Sequence, residues 1–254
     1  MADVNGRGTD DDGPRSRELS TRLDAVRRRI VAAAAAAERP EPELIVVTKY
    51  FPAADVRILA GEGIRDVGEN RDQEAAAKAA ELAELSLVWH FIGQLQTNKA
   101  KSVVSYANSV HSVDRAALVA ALGKAMVGER QKNAVEDRPV RKDLDCFLQF
   151  TLEADAQSGG RGGALPVDAG TLAELVVSTD GLRLAGVMAV APLGEPAAPA
   201  FERLAAIAAT VRAVEPAATA ISAGMSGDLE EAVAAGATHL RIGSDVLGPR
   251  PAVR

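Results

Sequence analysis

One cysteine, Cys146, stands in 254 residues. An intramolecular disulfide and a zinc site built on cysteines are therefore excluded. Alone in an apolar stretch, it reads as a small core residue of a strand. Positive charge is also short: 29 Lys and Arg face 35 Asp and Glu, a net charge of −6. A protein that binds a nucleic-acid backbone carries a basic surplus on its binding face. That class is set aside, although a small cationic pocket is not. No uninterrupted apolar run comes near the roughly 18 residues of a membrane span. Residues 1–17 are polar, acidic and glycine-rich, without the apolar stretch of a secretory signal. They read as a disordered head on a cytoplasmic protein. The three histidines, His90, His111 and His239, show no metal-ligand spacing. G-x-S-x-G, H-E-x-x-H and Walker sequences are missing.

What is present is a core and a rhythm. Apolar residues make up 47% of the chain. Residues 19–37 read as a helix, because Leu19, Leu23, Val26 and Ile30 recur at helical spacing. Pro40 and Pro42 end it. Residues 44–49 then form a short β-branched run without alternation, the mark of a strand buried on both faces. Strand candidates recur at 64–70, 87–93, 108–113, 144–152, 182–190, 218–224 and 238–243, with helical segments between them. Eight strands alternating with helices is the period of an α/β fold of the (β/α)8 (TIM) barrel type. The first strand runs into Thr48-Lys49-Tyr50-Phe51-Pro52 without a glycine, which argues against a dinucleotide-binding turn. The charged stretch 128–143 and the glycine-rich stretch 158–163 read as loops. The expected organisation is a head over 1–17 and one barrel domain over 18–254.

Function in such barrels collects at the C-terminal ends of the strands. Lys49 ends the first strand, and parity puts it on one face with Ile45 and Val47. If that face points inward, the amine sits at the barrel mouth, where desolvation favours the neutral form that an imine-forming lysine needs. A solvated lysine just past a strand end fits the position as well. Glu69 and Asn70 end the second strand, and Gly93 and Gln94 follow the third. Ser222, Gly224, Met225 and Ser226 follow the seventh strand, and Gly243 and Ser244 the eighth. Small residues in those two turns let backbone N–H groups approach an anion, the usual place for a phosphate. A helix beginning near Ser226 would add its dipole. Arg241 alternates with Leu240 and Ile242 and so faces the other way, with His239. An arginine inside a barrel needs a ligand atom or a carboxylate such as that of Glu69. His90 reads as a hydrogen-bonded core residue rather than a base.

Five runs resemble one family: Val46-Val47-Thr48-Lys49, Val67-Gly68-Glu69-Asn70, residues 89–99 (Trp-His-Phe-Ile-Gly-Gln-Leu-Gln-Thr-Asn-Lys), Ser222-Ala223-Gly224-Met225-Ser226, and Arg241-Ile242-Gly243-Ser244. Their order and content are similar to the pyridoxal-phosphate-binding proteins of vitamin B6 homeostasis, the YggS/PROSC family, from about residue 19 to 250. The resemblance implies a single barrel like the N-terminal domain of alanine racemase, with an extra N-terminal helix. It implies pyridoxal 5′-phosphate (PLP) as a Schiff base on Lys49 and a phosphate held by Ser222, Gly243 and Ser244. It also implies Arg241 facing the pyridine nitrogen, and Asn70 and Met225 lining the pocket. The chain departs from the family at Phe51, where a second lysine is frequent, and after the fifth strand, where Ser158-Gly-Gly-Arg161-Gly-Gly replaces a lysine-bearing loop.

Two roles remain open for such a protein. One is a carrier that holds PLP and passes it to PLP-dependent apoenzymes, as a monomer with no nucleic-acid or membrane partner. The other is a racemase-like enzyme. Racemisation needs a base on each face of the cofactor. The chain has only two tyrosines, Tyr50 and Tyr106, and no second domain is read in the sequence. Both points favour the carrier. A lysine-dependent aldolase without a cofactor is a third, weaker alternative.

Overall fold

The structure, a computed structural model, describes residues 13–153 and 162–250. Eight parallel strands pair in chain order and close into a barrel. They are β1 (Glu43–Val47), β2 (Asp66–Glu69), β3 (Val88–Phe91), β4 (Ser109–Val113), β5 (Leu144–Gln149), β6 (Leu182–Met188), β7 (Ala220–Ser222) and β8 (His239–Ile242). The helices are α1 (Pro14–Ala36), α2 (Ala53–Gly61), α3 (Asp72–Glu81), α4 (Ala100–Tyr106), α5 (Ala116–Val135), α6 (Ala169–Val177), α7 (Ala197–Val214), α8 (Leu229–Ala234) and α9 (Ser244–Leu247). Every strand read from the sequence is present, each shorter at one or both ends. Closure pairs β1 with β8, setting Ile45 opposite Arg241.

Strand parity divides the core in two. Val46, Val67, Phe91, Cys146, Leu148, Leu240 and Ile242 point outward into the large apolar layer beneath the helices. Burial pushes the Cys146 thiol pKa up, as expected for an inert core residue. Ile45 and Val47 point inward, packed across Gly68, where a Cβ would lie 3.1 Å from Ile45 Cγ2 and 3.4 Å from Val47 Cγ2. A small inner cluster of Phe147, Ala185 and Met188 fills the β5–β6 side.

Three readings need correction. Helix α1 begins at Pro14, so residues 14–17 belong to it and not to the head. Proline suits the first helical turn. Ser16 is buried, and Arg15 reaches Asp55 at 2.6 Å and Leu247 O at 3.0 Å. The rest of the head, residues 1–12, and most of the glycine-rich stretch lie outside the described residues. Helix α5 continues to Val135, into the charged stretch read as a loop. Gly128 there faces open space, and the residues after it are mostly good helix formers. Finally, α8 starts at Leu229 rather than near Ser226, and a four-residue turn, α9, follows β8. Because α9 is so short, α1 packs against α8, α9 and α2 and covers that part of the barrel.

Candidate cofactor site

Lys49 sits two residues past β1 and is half-buried. Its turn is closed by the Phe51 N–H donating to Thr48 O at 3.1 Å. Tyr50 has φ +71°, a left-handed conformation unusual for a tyrosine. Its N–H donates to Glu74 Oε1 at 2.7 Å. Three cations gather on the Tyr50 ring: Lys49 at 5.8 Å, Arg71 at 5.0 Å and Arg250 at 3.7 Å from its centroid. Phe51, where the family often has lysine, is buried in the outer core.

Asn70 follows β2. Its Oδ1 is buried without a hydrogen-bond partner among the described residues. Gly93 passes so close that a Cβ there would lie 2.4 Å from Asn70 O. This explains the glycine in the long third motif. Much of that motif is architectural: Trp89, Phe91 and Leu95 are core residues, and Arg115 donates to Leu95 O at 2.8 Å. A cleft of about 680 Å³ opens beside Asn70, bordered by Arg71, Glu74, Gln94 and Lys99. It adjoins the candidate site without containing Lys49 or the β7–β8 turns.

Beside β1, which pairs with β8, the turns after β7 and β8 meet. Gly224 has φ +90°, and a Cβ there would lie 2.7 Å from both Ala232 Cβ and Leu240 Cδ2. The Met225 N–H donates to Asp228 Oδ1 at 2.5 Å, which fixes the loop. A Cβ on Gly243 would lie 3.2 Å from Val47 O. Ser244 opens α9, and its Oγ lies 3.3 Å from Ser226 Oγ. Ser226 is thus the serine of the fourth motif that stands beside Ser244. From α1, Arg29 braces this rim, bonding Ser226 O at 3.1 Å, Glu230 Oε1 at 3.0 Å and Asp245 Oδ2 at 2.8 Å.

Ser222 is elsewhere. It is fully buried under the mouth. Its Oγ accepts from Arg241 Nη1 at 2.6 Å and lies 2.9 Å from His111 Nδ1. Its hydroxyl is thus engaged by two interior side chains, whereas Ser226 and Ser244 stand at the mouth. Arg241 also donates to Ala189 O at 2.8 Å. Among the described residues no carboxylate pairs with it, and burial pushes its pKa down to about 10. Glu69, the acid considered as its partner, points out of the barrel to Thr48 and Lys78.

The barrel interior explains how Arg241 is tolerated. His111 Nε2 lies 3.0 Å from His90 Nδ1, with Ser109 Oγ bridging both rings, and His90 Nε2 lies 2.9 Å from Asp66 Oδ1. An arginine only donates and a carboxylate only accepts. An arrangement that satisfies every contact runs the protons from Arg241 to Ser222, Ser222 to His111, His111 to His90 and His90 to Asp66. In this scheme His111 is neutral. Burial, reinforced by His90 and Arg241, holds its pKa well below the usual histidine value. It stacks on Phe147 at 4.0 Å. His90 is the hydrogen-bonded interior residue that parity indicated, and the described residues contain no metal-binding cluster.

The fold and mouth define a class: a closed (β/α)8 barrel with its lysine, orphan amide and glycine–serine turns gathered at the C-terminal end. The family model of the alanine racemase N-terminal domain matches residues 21–251. The pyridoxal phosphate homeostasis protein of Mycobacterium bovis is 42% identical over 93% of this chain and 94% of its own. That of Pseudomonas aeruginosa is 39% identical over 89% and 92%. PipY of Synechococcus elongatus, solved with PLP bound, has a TM-score of 0.75 at 34% identity, covering 91% of this chain and all of PipY. The chain belongs to the alanine racemase N-terminal domain family, within its branch of pyridoxal phosphate homeostasis proteins. Alanine racemase of Corynebacterium glutamicum shares the fold at TM-score 0.61 and 11% identity, with 60% of its length covered.

Proposed function

We propose that this protein binds PLP at the barrel mouth and serves in PLP homeostasis as a carrier rather than as an enzyme. The observation that carries this reading is Arg241: a buried guanidinium, held by Ser222 and Ala189 O, with no carboxylate partner among the described residues. Other features fit the cofactor. Asn70 keeps a buried acceptor without a partner among the described residues. A side chain on Gly243 would crowd Val47 O, at 3.2 Å from its Cβ. Ser226 and Ser244 present paired hydroxyls on the same rim.

When bound, PLP would supply an aldehyde that condenses with a lysine amine to give an imine and one water. Lys49 is the amine assigned to it. Ser244, Ser226 and the backbone of Gly243 would hold the phosphate, Asn70 would line the ring pocket, and Met225 would border it. Arg241 would point its remaining N–H groups at the ring nitrogen. It stays protonated at neutral pH, so it donates a hydrogen bond without giving up a proton. A ring nitrogen left unprotonated is a poor electron sink.

The carrier reading rests on the second base. Tyr106 is tied to Asp72 at 3.5 Å, and burial pushes its pKa up. Tyr50 is stacked under Arg250, and His90 belongs to the interior chain. A positioned acid or base is worth about 10²–10⁴ in rate. The test is to incubate the PLP-loaded protein with alanine in deuterated water. Spectral change without inversion at Cα is expected; rapid exchange with inversion would make the protein a racemase. The reading carries with it a cytoplasmic monomer that passes PLP to apoenzymes. Among the described residues no helix is long and apolar enough to cross a membrane.

A further inference from the structure

Lys78 stands on the alanine-rich helix α3 and is only 6% exposed. Its Nζ donates to Thr48 O at 2.8 Å, to Glu69 Oε1 at 2.7 Å and to Glu74 Oε1 at 2.8 Å. An ammonium has three N–H groups, and all three are used. The same two carboxylates hold the adjoining chain. Glu69 Oε1 also accepts from Thr48 Oγ1 at 2.7 Å, and Glu74 Oε1 accepts from the Tyr50 N–H at 2.7 Å. The residues on both sides of Lys49 are therefore gripped by one buried cluster, while the Lys49 side chain has no hydrogen bond among the described residues. The grip also coincides with the left-handed Tyr50, a conformation that persists only where its surroundings enforce it.

We propose that Lys78, acting through Glu69 and Glu74, is the positioning residue of Lys49: it holds the Thr48–Tyr50 turn in the conformation that presents the Lys49 amine to the cofactor aldehyde. This rests on Lys49 being the attachment point. Stability alone is a poor reason for the cluster. A buried ion group roughly breaks even against apolar side chains of similar volume, and Glu69 Oε2 has no partner among the described residues. Positioning is a better reason, because a displacement of about 1 Å at a reacting group can cost about a hundredfold in rate.

Lys78→Met keeps the length of the side chain and removes the donors. With PLP, it should form the borohydride-reducible adduct at least tenfold more slowly than the unaltered protein. Binding of pyridoxine 5′-phosphate, which has no aldehyde, should stay within twofold. Amide exchange of the segment spanning residues 48–51, measured without any ligand, should accelerate. Lys78→Arg should restore much of the adduct rate. Adduct formation at the normal rate in Lys78→Met overturns the proposal, as does an equal loss of pyridoxine 5′-phosphate binding. If Lys78→Met does not fold, Glu74→Ala takes its place; a rate unchanged in that variant also overturns the proposal. Lys49→Ala separates the two readings. A reducible adduct that survives in it refutes Lys49 as the attachment point. Its loss there, with a normal rate in Lys78→Met, refutes only the positioning role.

Discussion

The two rims of the barrel mouth are held by different means. On the β1–β2 rim, a buried ammonium and two carboxylates grip the backbone around Lys49. On the β7–β8 rim, the site is backbone and small side chains: Gly224, Gly243, Ser226 and Ser244. There the bracing comes from outside. Arg29 of α1 pairs with Glu230 and Asp245, and the three side chains are 38%, 52% and 33% exposed. The difference follows from the tasks proposed for the rims. A side-chain amine on a flexible stem has to be aimed, so its turn is clamped. A phosphate is received by N–H groups and hydroxyls, which need close approach more than force.

The largest effect should come from the clamped rim. Lys49→Ala should abolish the borohydride-reducible adduct while leaving the circular dichroism spectrum unchanged. A peptide map placing the adduct on Lys99 or Lys101 would break the comparison at its root. Next comes Gly243→Val on the other rim. Its side chain would crowd Val47 O, so PLP binding should fall by about tenfold or more, ~1.4 kcal/mol, with pyridoxal much less affected. Equal losses for both ligands would mean that the phosphate lies elsewhere.

In the barrel interior, His111 and His239 favour the neutral form and should respond to acid. Burial, helped by His90, pushes the His239 pKa down to about 4, against about 6.5 in an unfolded chain. Between those values the unfolded chain binds a proton that the folded protein refuses, so stability falls as pH is lowered through that window. The loss from His239 should approach about 3 kcal/mol near pH 4, and His111 shifts in the same direction. Denaturant titrations of His239→Gln should show a flatter pH dependence; an unchanged slope would assign the effect to other groups. Ser222→Ala should cost about 1–3 kcal/mol, because it leaves buried groups of Arg241 and His111 unpaired. A thermal melt checks this value, and a neutral substitution would return Ser222 to the phosphate side. Smallest is Arg29→Ala. Exposed pairs contribute about 0.2–1 kcal/mol each, so PLP binding should weaken slightly at low salt and match the unaltered protein at high salt. A large, salt-independent loss would mean that α1 does more than brace the rim.

Legibility in the sequence tracked the range of the interactions involved. The eight strands were readable because each is a short apolar run whose burial follows from its own residues. Lys49, Asn70, Gly243 and Ser244 stand out as candidates in the sequence because they sit at strand ends, where this architecture places function. Ser222 reads from the sequence as a residue of the β7 turn, and the structure bonds it to Arg241 and His111. Its contact to His111 spans 111 positions, and nothing near it in sequence announces that contact. Ser226 stands in the same motif, four residues on, and its position beside Ser244 depends on the path of the loop. The end of α5 was missed because a glycine and a run of charge resemble a loop.

The sequence by itself determined the alternation of strands and helices, the shared face of Ile45 and Val47, the placing of Arg241 on the face away from Leu240 and Ile242, and the membership in a family. Periodicity and local motifs are properties of neighbouring residues, and they survive without the fold. Only the tertiary structure decided which buried polar groups meet: Arg241 with Ser222, His111 with His90, and Lys78 with the turn that carries Lys49. Those pairings arise when the barrel closes and the helices dock. Each group then has to find a partner among whatever side chains the other strands and helices bring within hydrogen-bond distance.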